Sequence, residues 1–403
     1  MTPPAAPAAA GQSRWLLPAL ALLSAVAPLA TDMYLPSLPR MAQDLGSSAA
    51  GIQLTLTAFL GGLGAGQFFI GPLSDSIGRR RPLLAGVVLC LLASIGCALA
   101  DSLPLLVAAR FLQGFAGAAG VVLARAIIAD TSAGNEAARR FSLMMVIGGI
   151  APVLAPSIGG LVAAHGGWRA VMWVLAGLVM LMLAGVLAFI GETLPPERRH
   201  GGGLRTILAN AGTVLRRRRY VGYALTVVAA FAVMFCYIAA SPFVLQNVLG
   251  LSPGQYALAF GINASALVLG NITNARLIGR VPPQRLLRIG VCGLVLMTAL
   301  LAVWIVGFGA PHVPTLVTLW GVMASLGLIY GNGSAMALSQ VRDLAGTGSA
   351  FIGTAQFAGG ALVAPLVGLA GEHQAWPMAV GMVAGALLSA IGLFVVARPS
   401  ADG

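Results

Sequence analysis

Long apolar runs, separated by short stretches rich in Pro, Gly and charged residues, follow one another along the whole chain. A helix needs about 20 apolar residues to cross the hydrocarbon core of a bilayer. By this criterion the pattern predicts twelve spans, near residues 15–36, 51–73, 82–100, 104–126, 141–164, 169–191, 220–244, 254–278, 285–308, 312–335, 346–370 and 375–397. The predicted fold class is an all-α membrane protein with the bilayer as its partner.

The composition narrows the function classes. Of the 403 residues, 58% are hydrophobic and 8% are charged, so little room remains for a large soluble domain. The chain contains no Lys, which excludes ATP hydrolysis by a P-loop. Its four cysteines lie in apolar runs without CxxC spacing, which indicates neither a disulfide framework nor a metal site. The first apolar run lacks a convincing cleavage site, so we expect an uncleaved first helix.

The arginines predict the topology. With the twelve spans, one end of the bundle receives Arg79–Arg81, Arg139, Arg140, Arg198, Arg199, Arg205, Arg216–Arg219, Arg276, Arg280, Arg285, Arg288 and Arg342. The opposite end receives only Arg40 and Arg169; we call these the arginine-rich and the arginine-poor end. The positive-inside rule places the arginine-rich end and both termini in the cytoplasm. Because the arginines lie between spans and not on one soluble face, the net charge of +12 does not indicate a nucleic-acid partner.

The chain divides into two halves. The longest polar stretch lies at its midpoint, and Gly78-Arg79 after span two recurs as Gly279-Arg280 after span eight. This predicts a cytoplasmic tail (1–14), a six-helix bundle (15–193), a cytoplasmic central loop (194–219), a second six-helix bundle (220–397) and a cytoplasmic tail (398–403). The Arg block at 216–219 is interpreted as an anchor to anionic headgroups, although a specific lipid or partner site is the alternative.

Asp32 and Arg110 are candidates for proton coupling, because ionisable residues inside spans are costly and are commonly functional. Asp32 precedes the predicted end of span one at Pro36, and Arg110 follows the predicted start of span four at Pro104. Both then lie about 6 to 9 Å inside the boundary, where they could pair or exchange a proton. In the alternative interpretation Asp32 caps a helix end near the surface and Arg110 snorkels outward.

Two further segments are candidates for conformational change. The connection after span two combines glycines, an acid and arginines, which suits a gate at the arginine-rich end built from Gly71, Asp75, Gly78, Arg79 and Arg80. Span five carries Pro152, Pro156, Gly159 and Gly160, which predict a kinked and closely packed helix. A plain positive-inside turn and ordinary small-residue packing are the respective alternatives.

Polar and Met side chains within the spans are candidates to face a substrate cavity. They are Tyr34, Gln113, Met144, Tyr237, Asn263 and Gln356. A cavity with methionines, aromatics and few fixed polar groups suits the recognition of varied apolar compounds. Each of these side chains could instead bond a neighbouring helix. No span carries a second carboxylate, and the one His within the predicted bounds, His312, is the first residue of span ten, so an intramembrane enzyme is not expected, and neither a cofactor nor a metal is implied.

Several motifs resemble those of a known family. The gate segment, Gly71-Pro72-Leu73-Ser74-Asp75 to Arg81, is similar to the motif between spans two and three of the major facilitator superfamily, and Arg110 to Gly114 resembles its RxxQG motif. Thr31 to Pro36, Ser241 to Gln246 and Ala345 to Thr347 resemble its Bcr/CflA drug-resistance subfamily. The fifth-span antiporter motif is matched with two departures, Ala151 and Ala155 in place of glycines. The second-half copy of the gate lacks the acid.

The resemblance implies a function. Members of that subfamily are twelve-span drug:proton antiporters, with the first-span acid and the fourth-span arginine implicated in coupling. By this resemblance we expect an exporter of chloramphenicol-, florfenicol- or bicyclomycin-like compounds in a bacterial inner membrane, driven by protons through alternating access and requiring no cofactor. The alternative is a proton-coupled exporter or importer of an endogenous metabolite such as an amino acid. A monomer is expected, although Gly62 and Gly66 could pack either a dimer or the bundle itself.

Overall fold

The computed structural model describes residues 15–132, 134–199 and 203–398 of the chain, and most of these residues are helical. The predicted tail 1–14, residues 399–403 of the second tail, and residues 200–202 of the predicted central loop lie outside the described residues. The bounds of the helical spans are Leu16–Asp44, Ala49–Ile77, Arg80–Leu99, Leu103–Thr131, Gly134–Phe189, Arg218–Val248, Pro253–Leu277, Pro283–Gly307, His312–Ser339, Gly346–Leu366 and Trp376–Val396. Most begin and end within a few residues of the predicted bounds.

One of these eleven helices contains two spans. The helix Gly134–Phe189 has 56 residues, and a straight helix of that length would measure about 84 Å, against a hydrocarbon core of about 30 Å. It is broken at Gly167, whose φ of 70° lies in the left-handed region that favours glycine. After this break Trp168 donates to Asp44 and Arg169 donates to the Ala100 carbonyl, at the ends of spans one and three. Spans five and six are therefore separate, and the described residues form the predicted twelve spans.

The first span is longer than predicted. Its helical path continues through Pro36 and Pro39 to Asp44, as the short segments Leu35–Ser37 and Leu38–Asp44. Each proline occupies the first turn of its segment, where the missing N–H is not needed for an intrahelical bond. The prediction that span one ends at Pro36 was wrong for this reason. Asp32 consequently lies about 18 Å before the end of the span, near its middle.

The central connection contains a helix where the sequence indicated a loop. Residues Gly203–Arg216 are helical and pack against spans two and eleven. The sequence of this segment places Leu204, Ile207 and Leu208 at helical spacing, a signal that the neighbouring glycines and arginines obscured. At its end Arg217 forms an ion pair of 2.6 Å with Asp343, in the connection between spans ten and eleven.

The two halves repeat each other in detail. Gly78 and Gly279 both adopt a positive φ, 98° and 92°, after spans two and eight. Span two packs closely on span four, where a methyl group on Gly62 or Gly66 would overlap the backbone of Phe111 or Phe115. Span eight packs on span ten in the same way, through Gly270. Gly62 and Gly66 thus serve packing inside the bundle, which was one of the two interpretations of the pair.

The described hydrogen bonds between the halves lie towards the arginine-poor end. Gln53 donates to the Ala239 carbonyl at 2.8 Å, and Thr57 donates to the Ala361 carbonyl at 2.9 Å. Gln246 donates to the Pro36 carbonyl at 3.2 Å. The ion pairs at the arginine-rich end, in the described part of the chain, each join residues of one half. The halves are therefore bonded together at one end of the molecule.

Candidate functional site

Arg110 is fully buried inside the first half. Its Nη1 donates to Gln113 Oε1 at 2.6 Å, and its Nη2 donates to the Ala30 carbonyl at 2.9 Å. The guanidinium carbon lies 4.4 Å from the centre of the Tyr34 ring and 4.6 Å from that of Phe59. Two aromatic faces and two hydrogen bonds offset part of the cost of burying this cation. The interpretation that Arg110 snorkels outward was wrong, because the side chain points between spans one, two and four.

Two predicted cavity residues instead support this arginine. Gln113 accepts from Arg110 and donates through Nε2 to Ser94 Oγ at 2.8 Å, which fixes its orientation. Tyr34 is joined to Thr55 by a hydrogen bond of 3.1 Å while its ring covers the guanidinium. Both residues are buried and neither lines the central cavity described below. Helix-to-helix bonding, the alternative interpretation, describes them correctly.

Asp32 is buried but makes no ion pair with Arg110. Its carboxylate accepts a hydrogen bond of 2.9 Å from the neighbouring Thr31 hydroxyl. The helix Val26–Asp32 ends at this residue, and carbonyls in a last helical turn lack intrahelical partners. Arg110 therefore bonds the free Ala30 carbonyl, while Asp32 faces away into the cavity. The predicted direct pairing of Asp32 with Arg110 is not found in this structure, and neither is the surface cap.

A central cavity of about 250 Å³ lies between the halves. Both halves contribute to it, and Asp32 is the one acidic or basic residue among its described lining residues. The lining consists of Ala27, Pro28, Thr31, Asp32, Leu60, Leu63, Pro152, Phe231, Met234, Phe235, Tyr237, Ile238, Phe260, Ala264, Leu267, Met323 and Phe357. A single carboxylate is thus enclosed by apolar and aromatic walls.

The aromatic wall of the cavity was largely missed from the sequence. The rings of Phe231 and Phe235 lie 4.8 Å apart on span seven, and Phe357 of span eleven contacts Phe231 edge to face at 5.5 Å. The recurrence of Phe at positions 231 and 235, four apart in a helix, was the available signal. Phe260 of span eight completes this wall by stacking on Tyr237 at 5.4 Å.

The remaining cavity candidates are placed as follows. Tyr237 lines the cavity, and its hydroxyl accepts a hydrogen bond of 3.0 Å from Asn263 Nδ2. Asn263 lies directly behind it and is buried. Met144 is buried and Gln356 is half-buried, but neither belongs to the cavity lining. Of the six candidates, Tyr237 therefore lines the cavity, and Asn263 is bonded to its hydroxyl.

The predicted residues of span five lie beside it. Pro152 lines the cavity, and Pro156 is buried one turn further on. A side chain on Gly159 would overlap the carbonyl of Met33, so span five touches the main chain of span one next to Asp32. Gly160 faces span eight, with Ala257 Cβ at 3.6 Å from the position its own Cβ would take. These residues therefore pack span five against span one of its own half and against span eight of the other half, close to Asp32.

The gate residues form a compact ion-pair network at the arginine-rich end. Arg79 donates to Asp75 at 2.5 Å, to Ser74 at 2.7 Å and to Asp130, at the end of span four, at 3.0 Å. Burial alone would lower the pKa of Arg79, but its bonds to Asp130 and Asp75 outweigh this and raise the pKa. The positive φ of Gly78 turns the chain at this point, while Gly71 packs loosely beside Val122.

Glu192, an acid that the sequence analysis did not single out, bonds the backbone of the gate segment. Glu192 Oε1 accepts from the Arg79 backbone N–H at 2.8 Å, and Oε2 accepts from that of Arg80 at 3.3 Å. The Arg80 side chain itself is exposed. Burial would raise the pKa of Glu192, but hydrogen bonds from the backbones of Leu194, Arg79 and Arg80, with Arg199 nearby, lower it below its ordinary 4.5. The connection after span two is thereby tied to the ends of spans four and six.

Comparisons with solved structures support the fold. A bacterial homologue of the human lysosomal transporter Spinster, in an inward-facing and unoccupied conformation, aligns with a TM-score of 0.74 over 97% of this chain and all of that one, at 14% identity. The xylose transporter XylE of E. coli, in a partially occluded inward-open conformation, aligns with a TM-score of 0.71 over 96% of this chain and 98% of that chain, at 16% identity.

Sequence comparisons show the family. The uncharacterized MFS-type transporter YdgK of Bacillus subtilis is 38% identical, over 93% of each chain. A bicyclomycin resistance protein homolog of Haemophilus influenzae is 31% identical over 93% of this chain and 94% of its own, and the multidrug resistance protein MdtL of Escherichia coli is 29% identical over 96% of each. The family profile matches residues 20–365. The chain is a transporter of the Major Facilitator Superfamily, related to its drug-resistance members, and not an enzyme.

Proposed function

We propose that this protein exports small amphipathic compounds from the bacterial cytoplasm in exchange for protons. The observation that carries the proposal is the single buried carboxylate, Asp32, in an otherwise apolar and aromatic cavity between the two halves. The drug-resistance names of two relatives, at 31% and 29% identity, support the same substrate class. Bicyclomycin-, chloramphenicol- and florfenicol-like molecules are the compounds to be tested first.

The orientation of the protein in the membrane determines the direction in which protons and substrate are exchanged. With the arginine-rich end in the cytoplasm of an inner membrane, the hydrogen bonds made by Gln53, Thr57 and Gln246 close the cavity on the outer side. Closure on the outer side is expected of the inward-facing member of an alternating-access pair. The gate network of Asp75, Arg79 and Asp130 then lies on the cytoplasmic side, where rearrangement of its ion pairs would accompany the opposite state.

Asp32 is the group proposed to carry the proton. A carboxylate with one side-chain hydrogen bond in an apolar cavity is costly when charged, and taking up a proton removes that cost. The proton and the substrate would then compete for the cavity, which links the inward movement of one to the outward movement of the other. Arg110 takes no direct part in the proton transfer proposed for Asp32. By bonding the Ala30 carbonyl, Arg110 holds the end of the helix Val26–Asp32 and so positions Asp32.

The lining also bears on the second candidate function. An amino acid or a similar metabolite would bring its own carboxylate into the cavity, and such a group requires a cationic or strongly donating partner. Among the described lining residues there is no basic side chain, and Arg110 is enclosed by Tyr34 and Phe59 away from the cavity. The geometry therefore favours neutral or cationic amphipathic compounds.

Drug susceptibility tests the proposal. Wild type, Asp32→Asn and a matched control, Asp101→Asn, would be expressed in efflux-deficient cells, with their membrane levels measured. Asp101 lies exposed in the connection between spans three and four. Wild type and the control are expected to raise resistance to at least one of the three compounds, and a protonophore or Asp32→Asn is expected to abolish the increase. Resistance that survives in the Asp32 variant would refute coupling through this carboxylate.

A further inference from the structure

A second cavity, of about 260 Å³, lies at the arginine-rich end, away from the central cavity. It is formed by the first turns of span nine and the last turn of span twelve. Its lining residues are Gln284, Arg288, Leu393, Phe394, Ala397 and Arg398. Its volume is close to that of the central cavity, so the chemistry of the lining, and not the size, distinguishes the two.

The two arginines of this cavity differ from Arg79 and Arg217 at the same end. Arg79 and Arg217 are engaged by carboxylates, Asp75 and Asp130 in one case and Asp343 in the other. The side chains of Arg288 and Arg398 are exposed, and neither has an ion pair or a hydrogen bond to a residue in 15–132, 134–199 or 203–398. Topology alone requires arginines at this end, but it does not require two of them, from different spans, to line one cavity.

The surroundings favour an anion. Gln284 and Arg288 are one turn apart at the start of span nine, where the helix dipole attracts negative charge. Planar guanidinium groups match phosphate oxygens in a bidentate manner. A third arginine, Arg218, approaches the rim by donating to the Val395 carbonyl at 3.3 Å.

The cavity also has an apolar side. Leu393 is buried and Phe394 is half-buried in the last turn of span twelve, so the arginines and the apolar side chains share one recess. A phospholipid presents the same combination, a phosphate followed by glycerol and acyl chains. Basic pockets between spans on the cytoplasmic side are suited to anionic headgroups.

We infer that this recess between spans nine and twelve binds a phosphate group, supplied by an anionic phospholipid of the cytoplasmic leaflet. The ligand would connect the start of one span to the end of another in the second half. The inference does not depend on which compound the central cavity transports.

The experiment measures unfolding midpoints of the purified full-length protein in neutral detergent. Phosphatidylglycerol is titrated as the lipid probe, phosphatidylcholine as the neutral lipid and inorganic phosphate as the soluble probe. The variant carries Arg288→Gln and Arg398→Gln. The control carries Arg276→Gln and Arg342→Gln, two exposed arginines of the same half whose removal changes the net charge equally.

Phosphatidylglycerol is expected to raise the midpoint of wild type and control, since a ligand that binds the folded state stabilises it. The variant should need about 30-fold more of this lipid, because each of the two arginines contributes about 1 kcal/mol to anionic-lipid binding and about 1.4 kcal/mol is tenfold. An equal shift with inorganic phosphate, lost in the same variant, would retain the phosphate site and assign it to soluble phosphates. An identical response of variant and control, or no response to either phosphate probe, would overturn the inference.

Discussion

At the scale of single residues, the buried cation of the first half is the most constrained group. Arg110 is surrounded by Tyr34 and Phe59 and bonded to Gln113 and Ala30, so almost every face of the guanidinium is used. Its Nε is the one side-chain nitrogen on this residue without a partner in the structure. Such a site depends on the planar shape of arginine and not only on its charge.

Arg110→Lys is therefore expected to destabilise the protein although the charge is retained. A lysine cannot reach both acceptors while lying between two rings, and the loss should be about 2 kcal/mol of unfolding free energy. Thermal or denaturant unfolding of the purified protein checks this. Arg169→Lys is the matched control, because Arg169 lies over the Trp168 ring at 4.2 Å but is exposed. Equal, small effects of the two substitutions would contradict the account.

Sequence reasoning identified these residues but not their partners. Asp32 and Arg110 stand out because charges are rare in apolar runs, and both proved to be buried. Arg110 donates to Gln113 and to the Ala30 carbonyl and not to Asp32; the second acceptor was not predictable, because it is a backbone carbonyl freed at the end of a helix, which side-chain patterns do not reveal. The depth of Asp32 was misjudged because Pro36 resembles a helix end, whereas it starts a new helical turn.

At the scale of elements, the connection between spans two and three depends on residues distant in sequence. The motif residues Asp75, Gly78 and Arg79 were recognisable from the chain itself. Asp130, at the end of span four, and Glu192, just after span six, complete the network and belong to no recognisable spacing. The fold, not the local pattern, brings them together.

The lowered pKa of Glu192 predicts a pH-dependent contribution to stability from this connection. The pKa of Glu192 in the folded protein is below 4.5. The ionised carboxylate therefore stabilises the folded state at pH values above the unfolded-state pKa, and this contribution is lost as the pH falls through the lowered folded-state pKa. Glu192→Gln should therefore cost on the order of 1 kcal/mol near neutral pH and progressively less in acid. Unfolding midpoints between neutral pH and below pH 4.5 measure this difference.

Glu197→Gln provides the control for this series. Glu197 is an exposed acid in the same connection, and its replacement should leave the pH dependence unchanged. A Glu192→Gln effect that stays constant across the pH range would show that the carboxylate charge does not matter to the gate.

At the scale of the whole molecule, the structure confirms twelve spans in two halves that repeat each other. Hydrophobic length and arginine distribution were sufficient for this, because both follow from the thickness and asymmetry of the membrane. The central helix at Gly203–Arg216 and the aromatic wall of the cavity were not predicted. Each left only a short signal in the sequence, apolar residues at helical spacing in the first case and Phe231 and Phe235 four apart in the second, and neither stands out among long apolar runs.

The contact between the halves predicts how the conformational equilibrium can be shifted. Gln53→Leu removes the bond to the Ala239 carbonyl, and losing about 1 kcal/mol should populate the outward-open state about fivefold more. A maleimide reagent that cannot cross membranes, applied outside, would report this through Leu60→Cys in the cavity, in a background with Cys292→Ser. Gln356→Leu, half-buried and outside the cavity lining, is the control. Equal labelling of the two variants would contradict this role of Gln53.

The three bonds between the halves share one property, which is that each acceptor is a backbone carbonyl, of Ala239, Ala361 or Pro36. A carbonyl remains whichever side chain the residue carries. Ala239 directly follows Tyr237 and Ile238, which line the cavity, so those walls can be exchanged through mutation without removing an acceptor from the closed end. Substitutions in the cavity wall therefore leave the acceptors of the closed end in place, and these bonds depend on the side chains of Gln53, Thr57 and Gln246 alone.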